Sequence, residues 1–165
     1  MKINTLSLKN VNISLINIDE RNMRNQNCSL YISKIRYKNI KNMHIKLLIQ
    51  SNDSGQIIGY ILSYNYNKID GHIRIDIELD TMYTNFLNDA ISLFCNYLYT
   101  CFPIRKIYYE IFAEINNKTT LQLKKIGFQK EACLKEDTFF NNSYCDKYIF
   151  SLDSNIFFEV MENGK

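Results

Sequence analysis

The chain has 165 residues, 46% of them hydrophobic and 22% charged, and 20 Lys+Arg against 17 Asp+Glu leave a formal charge of +3. That length suits one domain with a full core, and the balance of apolar and charged residues argues against wholesale disorder. No apolar run approaches the roughly 18 residues of a membrane-crossing helix, and the first residues alternate instead of forming an apolar leader, so a cytoplasmic protein without membrane contact is expected. The five cysteines (28, 95, 101, 133, 145) lack paired close spacing and read as reduced core thiols, not as a disulfide or zinc framework. With His44 and His72 the only histidines, a His-rich metal site is excluded and no metal is expected. No glycine lies between Gly71 and Gly127, which removes the glycine-clustered phosphate cradles of P-loop and dinucleotide-binding proteins.

In chain order, residues 10–18 alternate with period two and predict a strand. Between Arg21 and Asn52 there is no acid, while Arg21, Arg24, Lys34, Arg36, Lys38, Lys41 and Lys46 are basic; a helix is expected over 28–43, then a strand over 44–50. A turn at 52–55 precedes a strand over 56–66, and Asp70-Gly71 marks a hairpin. Residues 72–80 put Ile73, Ile75, Ile77 and Leu79 on one face and His72, Arg74, Asp76, Glu78 and Asp80 on the other. Apolar residues from Leu87 to Cys101 recur at helical spacing, with Thr84 as the expected N-cap and Pro103 as the stop. A strand over 104–112, a helix over 117–126 capped by Gly127, and a hairpin of 129–139 with 144–152 follow. Residues 153–165 are set apart from a domain over 1–152 as a tail with a short amphipathic turn, whose Ile156–Met161 could pack across a homodimer. The class predicted is α/β (α+β), with helices on a mixed, mostly antiparallel sheet of about seven strands.

The segment Asn116-Asn117-Lys118-Thr119-Thr120-Leu121-Gln122-Leu123-Lys124-Lys125-Ile126-Gly127-Phe128 resembles the signature of the GCN5-related N-acetyltransferase superfamily. Glu131-Ala132-Cys133-Leu134-Lys135 and Asn141-Asn142-Ser143-Tyr144-Cys145-Asp146 resemble its ribosomal-protein alanine acetyltransferase branch, where the motifs read Glu-Gly-x-Leu-Arg and Asn-Gly-x-Tyr-x-Asp. Upstream, Ile58-Gly59-Tyr60-Ile61 and Phe102-Pro103-Ile104-Arg105 fall where that family enters its third and fifth strands. The likeness runs from about 55 to 152, and residues 1–54 fit in element order only. It implies that the fourth and fifth predicted strands splay apart, that the pantetheine of an acyl-CoA lies in the gap, and that the diphosphate rests on the N-terminus of the following helix, where unpaired N–H groups and the helix dipole attract anions.

The chain departs from that pattern at the phosphate loop. Counting back from Asp89-Ala90, the family's glycines fall on Asn85, which can reach left-handed angles, and on Leu87, whose side chain crowds a phosphate; the usual cation or amide is Met82. The tyrosine many members place four residues before the Gly-Phe glycine is Leu123. At Thr138, where the branch has an acid, this chain has none, although Glu136 and Asp137 are close. The resemblance implies acetyl-CoA as donor, or an acyl carrier, with Leu79, Asp80, Met82, Thr84, Asn85, Phe86, Asn116 and Thr119 around it and a small-molecule or peptide amine as acceptor. Glu78 is the expected base, raised by its neighbours Asp76 and Asp80, and Thr119 the expected donor to the departing thiolate. Glu110 and Glu114 are weaker base candidates. Blander roles stay open: a solvated charge ladder for Glu78, a first-turn hydroxyl for Thr119, an N-cap for Asn116, surface charge for at least one of Glu110 and Glu114, packing for Tyr108 and Tyr109, and a structural or surface place for His44. A non-catalytic module of the same fold is the alternative function. RNA binding through 21–46 is a third reading, although nucleic acid is not the expected partner.

Overall fold

The computed structural model describes residues 5–6, 12–18, 31, 42–112, 117–140 and 142–163. They form β1 (Thr5–Leu6), β2 (Ile13–Asn17), β3 (Met43–Ser51), β4 (Ile57–Asn67), β5 (His72–Leu79), a 3-10 segment (Thr81–Phe86), α1 (Leu87–Cys101), β6 (Lys106–Phe112), α2 (Asn117–Ile126), β7 (Gln129–Phe140), β8 (Ser143–Asp153) and α3 (Ser154–Asn163). One sheet holds the strands in the order β1-β2-β3-β4-β5-β6-β8-β7. Neighbours run antiparallel except β5 and β6, which are parallel. This is the expected mixed sheet, with the two-residue β1 added at one edge. The helix expected over 28–43 lies outside the described residues apart from Tyr31, Asn42 and Met43, and Met43 already belongs to β3.

The alternation in β5 divides the sheet's two faces. Ile73, Ile75 and Ile77 join a core with Ala90, Ile91, Phe94 and Leu98 of α1 and Leu123 and Ile126 of α2. The opposite face carries a second cluster, in which Tyr31 packs with Tyr60, Leu62, Leu48, Ile57 and Ile16. The turn before β5 is built locally: Asn67 Oδ1 accepts the N–H groups of Ile69 and Asp70 at 3.0 and 3.1 Å, the side-chain mimicry of a turn that favours Asn there. Gly127 ends α2 at φ +103°, a left-handed position that suits glycine.

Three expectations are corrected. Thr84 does not cap α1, because residues 81–86 wind into 3-10 turns and the helix begins only at Leu87. Of the cysteines read as core thiols, Cys95 is buried, Cys133 and Cys145 are half-buried, and Cys101 is exposed at the last turn of α1. The tail is a ten-residue helix, and part of its apolar side packs within the chain while Phe158 stays 40% exposed. Phe157 is fully buried, its ring centroid 5.4 Å from that of Tyr99, and a methyl group on Gly127 would meet Ile156 Cγ2 at 3.0 Å. The reason is proximity: α3 leaves directly from β8, so its apolar side meets the end of α2 first.

Candidate active site

The parallel pairing of β5 with β6 runs from His72↔Lys106 to Ile75↔Tyr109 and stops there. Both strands continue, to Leu79 and Phe112, without pairing to each other, so the fourth and fifth predicted strands do splay apart. Beyond the last pair a cavity of about 360 Å³ opens, lined by Tyr64, Ile75, Asp76, Tyr109, Glu110, Ile111, Phe112 and Thr119. Ile75 and Tyr109 belong to the core on the helix side, whereas Asp76 and Glu110 alternate onto the other face. The opening therefore passes through the sheet. Where two strands of a sheet stop pairing with each other, an extended chain can pair with the edge, amide to amide.

The acids cluster on the face opposite α1. Glu110, whose side chain is 9% exposed, is ion-paired with Arg74, at 39%; the pair spans β5 and β6 at the apex of the splay. Glu78 lies two residues beyond Asp76 on the same face, and Tyr60 Oη donates to its Oε2 at 2.9 Å. Burial, then the bond to Glu78, raises the Tyr60 phenol well above its usual range, which keeps it a donor at neutral pH. Tyr31 Oη donates to Asp80 Oδ2 at 3.5 Å, and burial with the charges of Asp80 and Glu78 pushes its phenol up to about 12. Gly59 admits this arrangement: a Cβ on it would lie 2.2 Å from the Glu78 carbonyl oxygen, so only glycine lets β4 and β5 approach here.

The start of α1 is less suited to an anion than the resemblance implies. Tyr83 N–H donates to Asp80 O at 2.8 Å and Leu87 N–H to Thr84 O, so donors are used within the turn. Asn85, expected to exploit left-handed freedom, is not among the positive-φ residues; it is one exposed step of the 3-10 segment. Met82 is 82% exposed, and the Tyr83 and Phe86 rings stack at 6.3 Å. Asp89 stands in the first turn of α1, its carboxyl raised by burial.

Of the expected site residues, Thr119 lines the cavity and Glu78 lies on the strand edge beside it. Leu79 packs against the core. Asp80, Met82, Thr84 and Asn85 are exposed on the turn and Phe86 is partly buried. Asn116 and Glu114 lie outside the described residues. Leu123 is fully buried, so that helix position faces the core and offers no acid. Sequence reasoning missed Asp76, Tyr64 and Tyr109 as cavity-forming groups, and did not join Glu110, a weaker base candidate, to Arg74. Strand alternation had put Asp76 on the face of Glu78, but nothing local says where the pairing ends. Burial and the charge of Asp76 also raise the Tyr109 phenol. Among the described residues no cluster of His, Cys, Asp or Glu is placed to hold a metal ion, and no helix is long and apolar enough to cross a membrane.

A mixed sheet split between two parallel central strands, with helices packed on it, is also found in solved structures. A GCN5-related N-acetyltransferase from Brucella melitensis superposes with TM-score 0.76 at 12% identity, over 98% of this chain and 84% of that one. A probable acetyltransferase gives 0.70 at 15% identity, over 92% and 97%. The spermidine N-acetyltransferase of Vibrio cholerae in complex with CoA and spermine gives 0.71 at 16%, over 90% and 99%. No family model matches the sequence, and no curated protein matches it. The fold is that of the GCN5-related N-acetyltransferases.

Proposed function

We propose that the chain is an N-acyltransferase of this superfamily, moving an acetyl group from a pantetheine thioester, acetyl-CoA among them, to a primary amine of a small molecule or peptide. The observation that carries the reading is the end of β5–β6 pairing at Ile75↔Tyr109, which leaves a gap through the sheet. The motif order over 116–146 supports nearness to the ribosomal-protein alanine acetyltransferase branch. The arm would lie along β5 beyond Ile75, where that strand no longer pairs with β6. The acceptor would enter as an ammonium on the acidic face, with Asp76 at the cavity wall orienting it. Glu78, held by Tyr60, takes one proton through a water, and the neutral nitrogen attacks the thioester carbon. The C–N bond forms and the C–S bond breaks. As the C–S bond breaks the nitrogen gives its second proton to water, the thiolate takes a proton from the Thr119 hydroxyl, and that protonated water refills the hydroxyl, so the net products are an amide, a thiol and the one proton held by Glu78.

The test is thiol release from acetyl thioesters with a panel of primary amines, together with a crystal structure of the bound arm. Glu78→Gln should lower kcat at pH 7 by about 10²–10⁴-fold and remove the acidic limb of the kcat/KM profile. An unchanged profile takes the role from Glu78. An arm that binds outside the gap, with no amine acetylated, refutes the transferase. An arm in the gap without turnover favours the alternative, a binding module.

A further inference from the structure

Resting on the thioester-transfer reading, we infer that this chain selects its donor by the pantetheine arm and does not read the nucleotide half of CoA. Two separate features of the molecule diverge here. The gap that takes the arm is open, whereas the place where a diphosphate is expected has been rebuilt against one.

Charge is the first sign. From Ile75 to Ile104 the sequence contains no Lys or Arg, while Asp76, Glu78, Asp80 and Asp89 are all acidic. This stretch includes the end of β5 beyond its pairing with β6, the turn and the whole of α1. A diphosphate placed at the start of α1 meets a carboxylate in the first helical turn, which already complements the dipole that would otherwise favour an anion. Backbone is the second sign. Anion cradles at helix starts need several N–H groups left without partners, and the 3-10 turns direct those of Tyr83 and Leu87 onto Asp80 and Thr84 carbonyls. Bulk is the third: Phe86 and Leu87 are partly buried against the core at this corner and leave no glycine over which a phosphate could settle. On α2, Lys118 directly precedes Thr119 in the first turn, and Lys124 and Lys125 sit in the last turn, at the opposite end. The arm, in contrast, needs only the opening beyond Ile75 and Tyr109, where β5 and β6 no longer pair with each other and a cavity lies between them.

The experiment compares S-acetylpantetheine with acetyl-CoA as donors to one amine, and pantetheine with CoA as ligands by calorimetry, at two salt concentrations. The expected result is kcat/KM for the two thioesters within about threefold, matching dissociation constants, and little salt dependence for CoA, since residues 75–104 supply no Lys or Arg to pair with its phosphates. A preference for acetyl-CoA above about thirtyfold, or CoA binding that weakens steeply with salt, overturns the inference while leaving the transferase intact. If neither thioester binds or reacts, both readings fall together.

Discussion

The Arg74–Glu110 ion pair is the test of how the opening is held. It joins β5 to β6 within two residues of their last paired position. Glu110's side chain is 9% exposed and Arg74's 39%. Removing one partner of a fully buried pair costs about 3–5 kcal/mol, because the other charge is left without compensation. Arg74 is partly in water, so the cost of Arg74→Met should be smaller, about 1–3 kcal/mol. For a chain of this length that lowers Tm by about 2–4 °C per kcal/mol. The companion variant decides the cause. In Arg74→Met/Glu110→Gln no buried charge remains, so the double variant should be more stable than Arg74→Met alone, a coupling that a double-mutant cycle reads directly. The pH dependence has a defined sign. A lone, buried Glu110 has its folded-state pKa raised above the unfolded value, so the folded state binds more protons and Arg74→Met loses stability as pH rises. Thermal melts of the four proteins between pH 5 and pH 8 provide the measurement. Equal stabilities for the wild type and Arg74→Met, or additive losses at every pH, would refute the argument that this pair holds the apex.

Two further predictions follow from the same geometry. Gly59→Ala places a methyl group into the Glu78 carbonyl; overpacking of this kind costs about 1–3 kcal/mol, and because it displaces β5 at Glu78, turnover should fall by more than the change in Tm accounts for, while a fall matching stability alone would show β5 unmoved. Asp146 binds Lys135 Nζ at 2.7 Å and the Glu136 N–H at 3.1 Å, holding the irregularity between Leu134 and Thr138 where Glu136 takes φ +50°. Lys135 and the Glu136 amide hold its carboxyl below the usual 3.8, so its contribution is present above that value and lost as pH falls through the lowered one; hydrogen exchange at 134–138 should quicken in Asp146→Asn at pH 7, and an unchanged rate would remove Asp146 from the hairpin's support.

Much of the fold was legible because its signals are local. The alternation of His72–Leu79, the three- and four-residue recurrence of Leu87–Cys101 and the turn at Asn67–Gly71 are properties of contiguous residues, and each became the element its pattern predicts. Asn142 keeps φ +62° where the resembling motif has glycine, so the hairpin turn survives the exchange. The 3-10 turns at Thr81–Phe86 were not legible, because their residues carry no period and the expected cap at Thr84 is equally good chemistry for an α-helix start. Nor was the docking of α3, since an apolar stripe does not name its partner.

The sequence by itself determined which side chains share each face of each strand, and so put Glu78 and Asp76 together among acids, because side-chain direction follows residue parity alone. Only the tertiary structure decided that β5 and β6 part company after Ile75 and Tyr109, that Arg74 meets Glu110 from 36 residues away, and that Thr119 faces the gap they leave. Those outcomes depend on register between distant segments, which packing sets and no local pattern encodes.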